Sequence, residues 1–200
     1  MKILWISPRG DGAEIAGRIL RTGHQLVLYG EGAGMPLVRQ ADLWAFARVT
    51  DLAVVDSSFE VVRNKRSWVP HRDALFFEEL RRKHHFVALG PTPTVDLLVG
   101  DRRYLRKWCR TLGIPYAPET PDGTEPWSSG AWFRKNDVIP PGPYLQEWVP
   151  LFKSIGFRGW FALHGYIGED APVVTACSSS WPPESIPEGR EAEFLLEMVT

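Results

Sequence analysis

The residues that bear most directly on chemistry follow the first apolar run, Ile3-Leu4-Trp5-Ile6, where the chain reads Ser7-Pro8-Arg9 and then Gly10-Asp11-Gly12. Two glycines in a strand-to-helix turn let backbone N–H groups approach an anion at the helix N-terminus. The turn begins like a dinucleotide fingerprint, but Ile15 stands where the third glycine belongs, and a plain tight turn explains the pair equally well. Glu31 lies where a ribose-binding acid would follow the second strand. Two basic clusters stand out, residues 80–85 and the set Arg102, Arg103, Arg106, Lys107 and Arg110. The first suits a helix C-terminus, where cations meet the negative end of the macrodipole. The second could face phosphates, although a solvated helix face is the commoner case. The neighbours His84 and His85 point to different sides and make a poor metal pair. Cys109 and Cys177 are isolated, without the spacing of a zinc site or a disulfide framework. No Ser–His–Asp constellation is recognisable, since His164 and Ser178, Ser179 and Ser180 have no spacing that separates them from loop residues. No catalytic residue and no metal ligand is assigned.

Composition bounds the partners. A formal net charge of -1 gives no bulk electrostatic reason to bind nucleic acid or an anionic membrane. An apolar fraction of 44% and 24% charge are ordinary for a chain with a buried core. The nine tryptophans are many, and Trp normally sits where its ring is buried and its N–H finds a partner. Met1-Lys2 runs straight into a strand, with no signal-peptide h-region and no apolar run near the ~20 residues that span a bilayer, so a cytoplasmic location is expected.

The elements that must position these residues alternate in type. Short apolar runs at 3–7, 26–29, 52–56 and 86–89 read as fully buried parallel strands. Between them lie helical stretches: Ala13, Ala16, Ile19 and Leu20 at helical spacing, a less regular piece over 36–48, and a helix capped by Asp73 that carries Leu75, Phe76 and Leu80. A further helix starts near Asp101, with Tyr104, Leu105, Trp108 and Leu112 on its apolar side and Gly113 as its stop. The expected fold is α/β, a Rossmann-like open parallel sheet with strand order 3-2-1-4 and helices on both faces. Its ligand crevice is expected at the carboxyl ends of the first and fourth strands, where residues 7–12 face residues 90–94. From Pro115 the texture changes to Pro-rich connections around strand-like pieces at 131–134, 144–149, 159–166 and 173–177, with a short final helix carrying Phe194, Leu195 and Met198. These pieces read as a smaller, mainly antiparallel α+β unit, giving two domains, 1–118 and 119–200.

The order of segments resembles a known family. The opening strand with its Gly-rich turn, Asp51-Leu52-Ala53-Val54-Val55, Ala88-Leu89-Gly90-Pro91-Thr92, and the run from Arg102 to Lys107 leading to Gly113-Ile114-Pro115 are similar to the pre-ATP-grasp domain of glycinamide ribonucleotide synthetases (phosphoribosylamine–glycine ligases). Trp132-Phe133-Arg134-Lys135 resembles the ATP-grasp strand that ends in a phosphate-contacting lysine. Leu145-Gln146-Glu147-Trp148-Val149-Pro150 resembles the segment whose backbone meets adenine. The resemblance implies ATP with Mg²⁺ as cofactor and a nucleotide or phosphorylated metabolite as ligand, with a protein partner as a further option. It places Lys135, Gln146, Glu147, Trp148 and Arg102 at the nucleotide, while the crevice argument puts Gly10, Asp11, Gly12, Gly90, Pro91 and Thr92 at a substrate or another anion.

The chain also departs from that family. Only residues 136–144 separate Lys135 from Leu145, too few for the Gly-rich loop that covers the phosphates. Lys153 stands where the ribose-binding carboxylate belongs, Arg102 where the family has lysine, and the Glu and Asn that hold the metal have no counterpart. ATP-grasp chemistry makes an acyl-phosphate while Mg²⁺ neutralises developing charge. The reading is therefore an ATP-grasp carboxylate–amine ligase relative that does not catalyse ligation as this chain alone. The alternatives are a non-catalytic nucleotide-, metabolite- or protein-binding module derived from that family, and an unrelated Rossmann-like enzyme that uses the first βα turn.

Overall fold

The computed structural model describes residues 1–30, 42–65, 67–84, 86–134, 137–139 and 142–199. Strands β1 (Lys2–Ser7), β2 (Gln25–Gly30), β3 (Leu52–Val55) and β6 (Val87–Leu89) form one parallel sheet, in line with their uninterrupted apolar runs. Their order is β2-β1-β3-β6, which corrects the expected 3-2-1-4: the third strand lies beside the first, on the side away from the second. The cause is local. The backbone N–H of Lys2 donates to the Asp51 carboxylate (2.7 Å), Asp51 N–H donates to the Lys2 carbonyl (2.9 Å), and Asp56 N–H donates to the Ile6 carbonyl (3.1 Å), so β3 is pinned to β1 at both ends.

Period-two alternation along β1 sends Ile3 and Trp5 to one face and Leu4 and Ile6 to the other. The first face is covered by α1 (Ala13–Arg21) and by α7 (Glu191–Val199), whose Leu195 and Met198 are fully buried there. The second is covered by α2 (Leu43–Ala47) and α3 (Arg72–His84) through Leu43, Ala47, Phe77 and Leu80. The expected helix over 36–48 is seen only as α2, since residues 36–41 lie outside the described ones. Asp73 is not the cap of α3 but sits in its first turn, with its N–H donated to His71 Nδ1 at 3.3 Å. Two elements were not anticipated: a hairpin of β4 (Val61–Asn64) and β5 (Ser67–Pro70), and helix α4 (Pro93–Gly100), opened by Pro93 in its first turn. Asp101 ends α4 and starts α5 (Arg102–Thr111), its carboxylate accepting the Arg103 N–H at 2.9 Å.

The second sheet is antiparallel, ordered β10-β9-β7-β8, with β7 (Pro126–Phe133), β8 (Val138–Ile139), β9 (Gly159–Ile167) and β10 (Pro172–Ser178). The segment 144–149, expected as a strand, instead holds a 3₁₀ turn (Gln146–Trp148) that runs into α6 (Val149–Ser154). Trp148, Leu151 and Phe152 recur at helical spacing and insert into an aromatic core with Phe133 and Phe161. Helices α4 and α5 share that core through Val95, Leu98, Leu105 and Cys109. The two sheets meet where Gly90 N–H donates to the Arg158 carbonyl (2.5 Å) and where Trp132 of β7 packs among Trp5, Trp181 and Leu195. No helix among the described residues is long and apolar enough to cross a membrane.

Candidate functional site

The carboxyl edge of the parallel sheet gathers most of the buried polar groups of the chain. Ser7 ends β1, Asp56-Ser57-Ser58 follow β3, Thr92 and Asp96 open α4, and Ser179 follows β10. Asp56 is wholly buried and is held from three sides. Its Oδ2 accepts from Trp5 Nε1 (2.8 Å) and from the Gly12 backbone N–H (3.0 Å), and its Oδ1 accepts from Ser57 Oγ (3.0 Å). Burial raises its pKa, and these hydrogen bonds only partly offset that. The N–H of Gly12, at the amino end of α1, is thus already satisfied by the chain's own carboxyl group. A Cβ built on Gly12 would lie 2.4 Å from Asp56 Oδ2, so any side chain there disturbs the fold before it disturbs a ligand.

Gly90 is equally committed. Its φ is +111°, a Cβ would meet the Val55 carbonyl oxygen at 1.9 Å, and its N–H is donated to Arg158. The crevice expected between residues 7–12 and 90–94 is occupied by β3 and its outgoing loop, since β3 lies between β1 and β6. Phe59 N–H, from that loop, donates to Asp96 Oδ1 at 3.1 Å, and Ser58 pairs with Ser179. Thr92 Oγ1 and Asp96 Oδ2 are buried and have no hydrogen-bond partner among the described residues. Burial pushes the Asp96 carboxyl up to about 8, against the pull of the Phe59 N–H and the Arg9 charge.

Open space lies on the other side of this loop. A cleft of about 500 Å³ is lined by Pro8 and Arg9 after β1, Tyr29 at the end of β2, Phe59 after β3, and His71 and Asp73 at the start of α3. The His71 ring stacks on Phe59 with planes 6° apart and centroids 6.4 Å apart, and its Nδ1 sits 3.8 Å from Asp73 Oδ2. The pKa of Tyr29 is raised, by burial first and by the Asp73 carboxylate second. Arg9 is exposed at the rim. The cleft therefore offers one cation, a ring platform, a phenol and carboxylates on different walls. Sequence reading passed over Tyr29, Phe59 and His71 because they come from three separate connections. The signal that could have found them was the place of Tyr29 at the end of a strand, Phe59 beyond a strand end and His71 just before a helix.

The residues the resemblance assigned to a nucleotide lie elsewhere. Gln146 and Glu147 are exposed on the 3₁₀ turn, while the Trp148 ring is fully buried in the aromatic core, leaving only its backbone for a ligand. Arg102 is exposed at the start of α5 and donates from Nη1 to the Pro118 carbonyl at 3.3 Å. Lys135 lies outside the described residues, as do Glu31 and His85. Asp11 is exposed, Gly10 has a φ of +80°, and Pro91 lines a narrow apolar space with Phe77 and Leu89. The fold does bring His164 to two serines: Nε2 lies 2.7 Å from Ser178 Oγ and Nδ1 3.1 Å from Ser128 Oγ, a cross-strand row with the imidazole pKa lowered by burial.

Among the described residues no three His, Cys, Asp or Glu side chains converge on one point.

No family model matches the chain, and no curated protein matches it in sequence. Solved structures do. The phosphoribosylamine–glycine ligase of Thermotoga maritima is similar over 98% of this chain and 75% of its own, with a TM-score of 0.61 and 12% identity. The N5-carboxyaminoimidazole ribonucleotide synthetase of Thermus thermophilus is similar over 98% and 78%, with a TM-score of 0.62 and 11% identity. The glycinamide-RNase-transformylase T of Mycobacterium tuberculosis is similar over 92% and 72%, with a TM-score of 0.60 and 14% identity. All three are ATP-grasp enzymes, and the likeness at these identities is one of fold: a parallel sheet followed by a separate antiparallel sheet.

Proposed function

We propose that this protein binds a nucleotide or phosphorylated sugar at the carboxyl edge of its parallel sheet and does not catalyse ATP-dependent ligation as this chain alone. The observation that carries the reading is the cleft of about 500 Å³ with Arg9 on one wall and Asp73 on another. Its volume is that of a small-molecule site, and open α/β sheets take ligands outside the carboxyl ends of their strands, where the strand order reverses. Here the order reverses between β1 and β3, and the cleft is lined from the ends of β1 and β2 and from the loop after β3.

The lining suits a ligand of mixed polarity. Arg9 presents a planar fork to a phosphate. Asp73 and Glu60, also at the cleft, accept hydrogen bonds and favour the hydroxyl groups of a sugar over a second anion. Phe59 with its stacked His71 offers a face for an apolar or ring surface. The first βα turn is the poorer seat for a phosphate, because Asp56 already holds the Gly12 N–H. ATP with Mg²⁺ would supply an activated phosphoryl group to an ATP-grasp reaction. The cover loop, the ribose-holding acid and the metal ligands of that reaction have no counterpart in this sequence, which supports binding without ligation.

Calorimetric titration with ribose 5-phosphate, AMP and ATP tests the reading, alongside an ADP-release assay with Mg²⁺-ATP and carboxylate–amine pairs. At least one ligand should bind, and Arg9→Ala should weaken it about tenfold or more, as expected for a lost charged hydrogen bond. Asp73→Asn should weaken a sugar-containing ligand more than inorganic phosphate. Binding unaffected by Arg9→Ala would move the site elsewhere. ADP release well above background, lost on Lys135→Ala, would overturn the non-catalytic half of the proposal.

A further inference from the structure

Helix α5 carries Arg102, Arg103, Arg106, Lys107 and Arg110, all exposed, while Leu105 and Cys109 are buried on its other side. Successive turns stack Arg102 on Arg106, Arg106 on Arg110, and Arg103 on Lys107, and each such like-charge pair weakens a helix. Arg102 and Arg103 also stand in the first turn, at the positive end of the macrodipole, where the Asp101 cap accepts the Arg103 N–H but forms an ion pair with neither guanidinium. Among the described residues none of the five cations forms an ion pair with a carboxylate. Glu119, Asp122 and Glu125, exposed in the connection that follows the helix, leave them unpaired.

The same chain treats its other charged helices differently. On α3, Glu78 pairs with Arg81 and Glu79 with Lys83; on α7, Glu193 and Glu197 both reach Arg190. On α5 the described residues show no such pairing for any of the five cations. A compensating anion from outside accounts for that pattern.

We propose that the basic face of α5 is a docking surface for a short acidic segment of a partner protein, whose Asp and Glu carboxylates are gripped by the arginine forks. Four of the five cations are Arg, and the guanidinium fork matches a carboxylate in two-point geometry. The stripe from Arg102 to Arg110 is about 12 Å long, the reach of a few extended residues. Larger polyanions fit less well. Outside this helix 18 Lys and Arg stand against 24 Asp and Glu, so the rest of the chain carries net negative charge and adds nothing to the attraction of an extended polyanion such as an anionic bilayer or a nucleic-acid duplex. A single-stranded nucleic acid would lack stacking platforms, because Tyr104 and Trp108 are packed against the core. A short acidic segment meets the helix alone.

The test is fluorescence anisotropy of a labelled ten-residue glutamate-rich peptide with the full chain, against the glutamine version of that peptide. The expected result is saturable binding of the glutamate peptide only, weakening as salt rises from about 50 to 300 mM, as for an ionic contact. Arg106→Glu/Arg110→Glu should weaken it at least tenfold while circular dichroism stays that of the parent; Arg106→Gln/Arg110→Gln serves if the reversal perturbs folding. Arg102 is left intact in both variants. Equal binding of the two peptides, or full binding by both double variants, would overturn the proposal. So would tighter binding, through the same arginines, of a ten-residue thymidine oligonucleotide or of phosphatidylserine vesicles.

Discussion

At the scale of single residues the two buried aspartates behave differently from surface acids. Asp56 is an internal ligand: it supplies to Trp5 and Gly12 the acceptor that an anion would otherwise supply. Asp96 keeps one oxygen on the Phe59 N–H and has no partner for the other among the described residues, and burial holds its pKa at about 8. An unfolded aspartate titrates near 3.9. The folded state therefore holds a proton that the unfolded chain releases across this interval. Asp96's contribution to stability is complete below about pH 4 and is lost as pH rises toward 8. Asp96→Asn keeps the acceptor for Phe59 and removes the titration. The variant should gain on the parent as pH climbs from 5 to 8. The gain should reach on the order of a few kcal/mol, because each tenfold change in an ionisation constant is worth ~1.4 kcal/mol. Urea denaturation at several pH values measures this; parallel pH profiles for variant and parent would show that Asp96 ionises normally.

Elements differ in how much of their charge the fold uses. On α3, Arg81 and Lys83 are paired within the helix, so removing either should cost little but gain nothing. On α5 the prediction is the reverse. Arg106→Glu turns two repulsive neighbours, Arg102 and Arg110, into attractive ones. At ~0.2–0.5 kcal/mol per pair, removed as repulsion and added as attraction, the variant should be about 1 kcal/mol more stable. For a chain of this size that is roughly 2–4 °C in Tm. A thermal melt decides it, and a lower Tm would mean that Arg106 supports the fold and is not held for a partner. The turn before α6 illustrates a different point about elements. Residues 144–149 read as a strand from local composition, yet Trp148 and Phe152 are placed by the aromatic core, and Tyr144 takes a positive φ of 64° at the bend.

For the whole molecule the decisive feature is that the two sheets share a core. Trp132, 4% exposed, belongs to the antiparallel sheet but contacts the rings of Trp181 (4.8 Å between centroids), Phe194 (4.9 Å) and Trp160 (5.5 Å) in the cluster that also holds Ile3 and Trp5. Trp132→Ala should cost about 3–5 kcal/mol, the range for truncating a large buried aromatic. Unfolding should remain a single transition in urea monitored by fluorescence and circular dichroism; a cost under about 1 kcal/mol would mean that the sheets are joined elsewhere. Sequence alone determined the alternation of strands and helices in the first half, the buried side of α5 and α7, the antiparallel character of the second half and the resemblance to ATP-grasp enzymes. Each of these rests on periodicity or on the order of segments, which are local along the chain. Strand order was not legible, because β1 and β3 are apolar on both faces and neither run carries a mark of its neighbour. The same holds for the closure of Gly12 by Asp56, 44 residues away, and for a cleft assembled from the ends of three strands and the start of a helix. Tertiary structure decided these, since pairings across such separations are selected by packing and hydrogen-bond satisfaction in the folded chain.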